Sequence, residues 1–446
     1  MKKITTIESK ESYEMMSERI NYIMNLKKLN EEVFNDLQGI EEEGFYCPIS
    51  EEVFEIVPFE ERWYTKYYPS YHMSVLLLKY YLAGHEEVKE QLLKTLNACL
   101  SKGYRGHGYD QDTICLQYLI ELYKHGLKKI THNNHSLACE FGSIVYFYRK
   151  CLVNGRVQSG FSNIEEGIKK LLKIVDKDVL FVYGTLMDGQ CNAHYLDECA
   201  IYGVGEVRGY TLLQLNGYPG MIKGDGVVAG ELYSINEKEK KQLDRLEGSQ
   251  YKYSSDLVYL GDACFYAHFY EFVPVEGRKY NRAICKDDMW VNVNDYVWYA
   301  CYGSNLLDSR FNEYIQRTSS KEQPIESRSI ILPYELYFAK NSRLWDGKGV
   351  AFLDTNKSSC TYGWMYLITK QQYEEIKKME GAWYSKRIHV GYDDMGIEIV
   401  TFTGVERYDA VEPGERYLGV IRRGLKEKYN LDDVMIENYL NKAKEY

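Results

Sequence analysis

The chain has 446 residues, length for two to four domains of about 100–200 residues each. Its 45% apolar and 27% charged content describes a cored globular protein and excludes a disordered polymer. A net charge of −10 argues against nucleic acid as a partner, and no apolar run reaches the roughly eighteen residues of a membrane span. The start, Met1-Lys-Lys-Ile-Thr-Thr, lacks an apolar signal core, and the eleven Cys are scattered. Free thiols in a cytoplasmic protein are therefore expected.

Residues 1–175 read as an all-α domain. Leu92-Leu93-x-x-Leu96-x-x-Cys99-Leu100 sets an apolar stripe at helical spacing, and a second stripe runs from Ile114 to Leu122 and stops at His125-Gly126. Six of the nine His fall here, at 72, 85, 107, 125, 132 and 135, without a metal-ligand spacing. Gly103-Tyr-Arg105-Gly-His107-Gly-Tyr109-Asp110 reads as a polar turn between helices, with ligand contact the sharper alternative. No acid, base or metal constellation stands out, so a role in substrate selection or assembly is expected of a separately folding unit.

From Asp176 the pattern changes to short strands between Gly-rich turns, as in Tyr218-Pro-Gly220 and Gly230-Glu-Leu-Tyr233, which predicts a barrel-like sheet. This plan occurs twice, in residues 176–290 and 291–446. Phe181-Val182-Tyr183-Gly184-Thr185-Leu186 is echoed by Trp298-Tyr-Ala-Cys301-Tyr302-Gly303-Ser304-Asn305-Leu306. Downstream, Asn236 and Thr369 each have Glu or Gln three residues on, a capping box. Eleven residues after each cap stands a Glu-Gly pair, Glu247-Gly248 and Glu380-Gly381, and four residues after each Glu a Tyr, Tyr251 and Tyr384. Helices are predicted at the end of the chain, over about Arg416–Leu425 and Asp432–Lys444. The fold class is thus an all-α domain followed by two α+β barrel domains.

Two features of the repeat carry chemistry. In Tyr-Gly-Thr/Ser, Gly allows successive backbone N–H groups to converge on a carboxylate or oxyanion. Glu247 and Glu380 precede a Gly suited to a helix C-terminus, so each carboxylate sits at the negative end of a helix dipole. That field, with any burial, raises a carboxyl pKa toward neutrality and suits a general acid/base.

Taken together, these motifs resemble the γ-glutamylcyclotransferase superfamily. The first copy is similar to the γ-glutamylamine cyclotransferase and AIG2-like branch, through Tyr183 to Leu186, Tyr218-Pro-Gly220, Gly230-Glu-Leu-Tyr233 and Leu243-Asp-x-x-Glu247-Gly248. The second is similar to γ-glutamylcyclotransferase proper, through Tyr302-Gly-Ser-Asn-Leu306, Lys340-Asn-Ser342-x-x-Trp345-x-Gly-x-Gly-Val-Ala351 and Pro413-x-x-x-Tyr417. The first copy lacks the Pro-x-x-x-Tyr element, and the second lacks the Leu-Asp pair ahead of its Glu. The resemblance implies α+β barrel domains and cofactor-independent, metal-free release of 5-oxoproline from a small γ-glutamyl amide or γ-glutamyl amino acid. It implies Glu247 and Glu380 as catalytic residues. Tyr183, Gly184, Thr185, Leu186 and Tyr251 would bind substrate in the first copy, and Tyr302, Gly303, Ser304, Asn305, Leu306, Tyr384 and Tyr417 in the second.

Rival readings stay open. Cys191-x-x-His194 and Cys301 could serve a thiol hydrolase, but their offsets from the two turns do not match. Cys191, His194 and Cys199 have an unusual spacing for a metal. One or both copies could bind γ-glutamyl ligands without turnover or serve as a scaffold, or the chain could remove a γ-glutamyl protecting group late in a biosynthesis. The 64 residues from Tyr183 to Glu247, against 78 from Tyr302 to Glu380, predict different leaving-group pockets. Oligomeric state is not legible in the sequence.

Overall fold

The computed structural model describes residues 18, 21–28, 45–46, 68–101, 110–155 and 162–444. The Gly-rich stretch from 103 to 109 lies outside them. The chain divides into two compact units, one of residues 1–210 and 223–274 and the other of residues 211–222 and 275–446. No helix among the described residues is long and apolar enough to cross a membrane.

In the first unit, helices α1 (Tyr68–Leu82), α2 (Lys89–Ser101), α3 (Asp110–Lys124), α4 (Leu127–His132), α5 (His135–Val153) and α6 (Ser162–Val175) precede the strands. The α2 stripe is buried as its spacing requires, with Leu92, Leu96, Cys99 and Leu100 out of solvent. Asn134 caps α5 by accepting the Leu137 N–H at 3.2 Å. The strands are β1 (Val179–Val182), β2 (Ala200–Gln214), β3 (Pro219–Ser234), β4 (Tyr251–Leu260) and β5 (Ala263–Phe272), with α7 (Glu237–Glu247) between β3 and β4. Their order β2-β4-β5-β1-β3 closes through a β2–β3 pairing into a barrel.

Sequence reading sets residues 1–175 apart as a domain, whereas these helices and the first sheet share one unit. The reason is a common core: Leu116, Ile144, Ile168 and Leu171 cluster with Cys264 of β5, and Leu257, Tyr259 and Tyr266 pack against them. At this seam Arg149 of α5 (7% exposed) pairs with Asp176 (2% exposed). Arg149 Nη1 donates to Asp176 Oδ2 at 2.8 Å and to the Cys264 carbonyl at 2.7 Å. The Tyr266 N–H also donates to Asp176, at 2.8 Å, and the guanidinium lies over the Phe265 ring.

In the second unit, the tip of the β2–β3 hairpin joins β6 (Asn281–Arg282), β7 (Cys285–Lys286) and β8 (Met289–Trp290). Next come β9 (Tyr296–Cys301), α8 (Asp308–Ile315), β10 (Glu326–Leu332), β11 (Glu335–Ser342), β12 (Lys348–Asp354), β13 (Thr361–Thr369), α9 (Lys370–Glu380), β14 (Lys386–Tyr392) and β15 (Glu398–Thr403). The chain ends on α10 (Glu415–Tyr429) and α11 (Asp433–Lys444), close to the helices predicted there. The strands form a five-stranded sheet, β10-β13-β9-β15-β14, and the ribbon β11–β12. Thr403 joins ribbon to sheet, its Oγ1 accepting the Leu353 N–H at 2.9 Å and donating to the Leu353 carbonyl at 3.1 Å.

The sequence repeat is matched in strand pairing. β1 lies antiparallel to β3 and parallel to β5, and β9 lies antiparallel to β13 and parallel to β15. The register agrees residue by residue: Leu180 pairs with Tyr233 and His268, and Tyr299 pairs with Tyr366 and Val400.

Replacing Arg149 by Ala leaves Asp176 buried without its cation, a change worth about 3–5 kcal/mol. Urea unfolding of the full-length Arg149→Ala protein should show a loss of that size, with the barrel and the helices melting together.

Candidate active site

Each repeated motif begins where a buried strand runs out. Tyr183 stands three residues beyond Leu180, and its hydroxyl donates at 2.5 Å to the carbonyl of Tyr270, two residues beyond His268. Tyr302 repeats both offsets from Tyr299 and Val400, donating at 2.8 Å to the Phe402 carbonyl. The turns that follow are also alike: Met187 N–H donates to the Gly184 carbonyl at 3.0 Å, and Leu306 N–H to the Gly303 carbonyl at 3.1 Å. This alignment places Thr185 with Ser304, Leu186 with Asn305 and Met187 with Leu306. Gly230 and Gly363 match as well, each three residues before the paired Tyr, because an added Cβ would press on the carbonyl of Val182 or Cys301. The sequence carries that Gly-x-x-Tyr spacing in both copies, from Gly230 to Tyr233 and from Gly363 to Tyr366.

Both capping boxes form. Glu239 accepts the Asn236 N–H at 3.0 Å, and Gln372 accepts the Thr369 N–H at 3.2 Å. α7 and α9 therefore start at fixed points, and each delivers its Glu eleven residues later. Neither following Gly takes the expected left-handed helical cap. Gly248 (φ 61°, ψ −153°) and Gly381 (φ 87°, ψ 176°) occupy a region open essentially to Gly alone, so the chain leaves the helix extended.

In the second unit these pieces enclose a cavity of about 240 Å³. Tyr302, Gly303, Ser304, Asn305, Glu380, Tyr384 and Tyr417 all line it, with Tyr299, Tyr314, Trp345, Trp383 and Phe402. Asn305 Nδ2 donates to Glu380 Oε1 at 2.7 Å and lies 3.4 Å from the Tyr299 hydroxyl. Burial raises the Glu380 pKa, opposed by hydrogen bonds from Asn305 and Tyr314 and by the charge of Arg310. Tyr384 donates to the Ala351 carbonyl at 2.8 Å, and Tyr417 accepts the Ala351 N–H at 3.1 Å. Leu306 is the exception among the expected binding residues, fully buried behind the turn. There α10 approaches so closely that a Cβ on Gly424 would lie 2.7 Å from Leu306 Cβ. Tyr314, Arg310 and Trp383 escaped sequence reading, since they come from α8 and the turn after α9 without a repeated offset.

The first unit differs in chemistry. Burial pushes the Glu247 carboxyl up to about 7, and among the described residues no hydrogen-bond donor opposes it; Leu186 stands where Asn305 would. Glu247 lies in the field of Tyr270, whose carbonyl receives the Tyr183 hydroxyl. The Tyr270 hydroxyl donates to Asp244 at 2.8 Å. The second unit replaces both members, with Phe402 and Lys377 at those positions. Tyr183 and Leu186 are buried, and Thr185 accepts from Asn192 Nδ2 at 3.1 Å. Tyr251 opens β4 opposite Phe272.

Among the described residues no group of three or more His, Cys, Asp or Glu is placed to hold a metal ion. Cys301 lines the cavity, but burial raises its thiol pKa far from thiolate formation.

Known proteins match the first of these sites. A family model described as "Gamma-glutamyl cyclotransferase, AIG2-like" covers residues 180–292. The "Gamma-glutamylcyclotransferase family protein ytfP" of Citrobacter rodentium is 33% identical over 117 residues, 26% of this chain and 98% of that protein. The chain belongs to this γ-glutamylcyclotransferase family. A stretch of 69 residues is 39% identical to the "Gamma-L-glutamyl-butirosin B gamma-glutamyl cyclotransferase" of Niallia circulans, 15% of this chain and 44% of that protein. The crystal structure of YkqA from Bacillus subtilis aligns with 60% of this chain and 97% of its own, at 20% identity and a TM-score of 0.26. The family segment contains both the Tyr183 turn and Glu247, and its relatives support a cyclotransferase activity in general.

The raised Glu247 pKa has a consequence for stability. A carboxyl shifted from 4.5 to about 7 by folding lends stability that is complete below about pH 4.5 and lost as pH rises through about 7. Glu247→Gln, uncharged throughout, should therefore gain on the parent protein between pH 4 and pH 8. Urea midpoints at both pH values read the effect, and a difference independent of pH would refute the raised value.

Proposed function

We propose that the chain is a tandem γ-glutamyl cyclotransferase, a γ-glutamylcyclotransferase-type lyase/acyltransferase that releases 5-oxoproline and a free amine or amino acid. The observation that carries this reading is Glu380, desolvated in a cavity and hydrogen-bonded by the Tyr302–Leu306 turn. Glu247 repeats its place at the end of a capped helix.

The substrate contains its own nucleophile. Its α-amine attacks the γ-carbonyl, the lactam C–N bond forms, and the C–N bond to the leaving amine breaks. Two protons leave the α-nitrogen and two arrive at the leaving nitrogen. The Glu carboxylate takes a proton from the α-ammonium and, as the acid, returns it to the leaving amine. Correct orientation of such an intramolecular attack contributes ~7–11 kcal/mol to lowering the barrier. Proton transfer by a positioned carboxyl adds ~10²–10⁴-fold in rate. Amides of the Gly303–Asn305 and Gly184–Leu186 turns would hold the α-carboxylate or the developing oxyanion. Trp345, Leu344 and Trp383 line the cavity of the second unit, and the longer segment that supplies Leu344 and Trp345 would select a different leaving group there.

Full-length protein, Glu247→Gln, Glu380→Gln and the double variant are assayed for 5-oxoproline across γ-glutamyl amines and γ-glutamyl amino acids. Each single change should abolish a separate set of activities, by ~10²–10⁴-fold, and the double variant all of them. Because Glu247 acts first as base, kcat/KM for its substrates should rise with pH to a plateau above about 7. Failure of the parent protein to release 5-oxoproline from any of them would end the reading. Loss of every activity in one single variant would end its two-site form.

A further inference from the structure

Among the described residues that line the cavity of the second unit, Glu380 is the one acidic side chain, and no Lys, Arg or His joins it. Cations on the neighbouring segments do not line it. Arg310 and Arg416 lie 5.9 and 5.2 Å from the Trp345 ring, and each is paired, Arg310 with Glu313 and Arg416 with Asp346 at 3.2 Å. Arg343, next to Leu344 in the chain, is exposed. The phenol protons of Tyr302 and Tyr384 are committed to the carbonyls of Phe402 and Ala351. What the lining offers instead is apolar surface. Leu344 and Trp383 line the cavity while 54% and 36% exposed, so they stand at its mouth, with the more buried Trp345. At about 240 Å³ the cavity is smaller than the roughly 300–1,000 Å³ of sites for drug-sized ligands. A glutamyl group therefore takes up much of it, and whatever hangs on the departing nitrogen meets the mouth.

From this lining, and resting on the cyclotransferase reading of the second unit, we infer that its leaving group is an amine with an alkyl or aromatic chain and no carboxylate, that chain covering Leu344, Trp345 and Trp383. The bonds made and broken are those of the cyclisation above; only the group on the departing nitrogen is specified. Glu380 must reach that nitrogen to protonate it, and Met379 and Trp383, both in the lining, bracket Glu380 in the chain. A leaving amino acid would bring a further carboxylate into a site that already holds one, with no lining cation to meet it. An amine brings no such charge, and its ammonium, once formed, meets Glu380 and the faces of aromatic rings. Its apolar chain takes out of water the surface that Leu344 and Trp383 leave open.

The test uses the full chain carrying Glu247→Gln, so that only the second site turns over, and reads 5-oxoproline release. Its substrates are γ-glutamyl phenethylamide, γ-glutamyl-phenylalanine, which differs from it by one carboxylate, and γ-glutamyl ethylamide, which lacks the ring. The phenethylamide should exceed the phenylalanine compound in kcat/KM by at least about 10-fold, the effect of an unpaired charge taken out of water. It should exceed the ethylamide by about 10- to 100-fold, the worth of covering the ring. The ratio of phenethylamide to ethylamide should then fall about 5- to 20-fold in Trp383→Ala, and also in Leu344→Ser, which changes the other side of the mouth. Equal or faster turnover of the phenylalanine compound overturns the inference, as does a ratio that moves in neither variant. So does a phenethylamide left intact while another γ-glutamyl compound is cyclised in a Glu380-dependent way. If no γ-glutamyl compound is cyclised in that way, with Glu380→Gln as the control, the cyclotransferase reading of the second unit itself fails, a separate outcome.

Discussion

A carboxyl taken out of water and met there by hydrogen-bond donors is the constraint on which the second unit is built. Burial raises the Glu380 pKa, and Asn305, the charge of Arg310 and Tyr314 oppose the rise. None of these groups lies next to Glu380 in sequence. Their meeting requires α9 to end at a fixed point, which the Thr369–Gln372 box ensures, and the turn after β9 to be held still. Gly424 ensures the latter by letting α10 press against Leu306 and Leu307 at backbone distance.

The first unit uses the same scaffold for a different electrostatic setting. The same register and the same tyrosine-to-carbonyl bond recur, so the turn and the Glu arrive in corresponding places. The groups around them have changed in pairs. Tyr270 with Asp244 becomes Phe402 with Lys377, where losing the phenol removes the need for its acceptor. Leu186 in place of Asn305 leaves Glu247 with burial alone, hence a carboxyl near neutrality. One backbone plan thereby surrounds two carboxyls of raised pKa with unlike groups and, in the proposed function, serves two substrates.

The helical segment belongs to this picture as structure. Arg149 and Asp176 lie at the seam between helices and sheet, nearly out of solvent, and Asp176 also receives a backbone N–H of β5. Such a buried pair, satisfied by further hydrogen bonds, is costly to break on one side. It ties α5 to β5, the strand that accepts the Tyr183 hydroxyl. A disturbance of the helices therefore has a short path to the first turn.

Much of the site was legible in the sequence because repetition at fixed offsets reports backbone geometry. A capping box sets where a helix begins, eleven residues set which way its last side chain points, and a Gly after it marks a conformation that other residues avoid. Those are local constraints, and they located Tyr183, Tyr302, Glu247 and Glu380. The helical stripe of Leu92 to Leu100 was readable for the same reason, as one face of a 3.6-residue period. What tertiary structure alone decided are the contacts between segments far apart in the chain. Seventy-five residues separate Asn305 from Glu380, and no periodicity links them. The match of Asn305 with Leu186 is legible in the aligned Tyr-Gly-Thr/Ser motifs, but the contact Asn305 makes with Glu380 is not. The helices' union with the first barrel was hidden likewise, since an apolar face shows that it is covered but not by what.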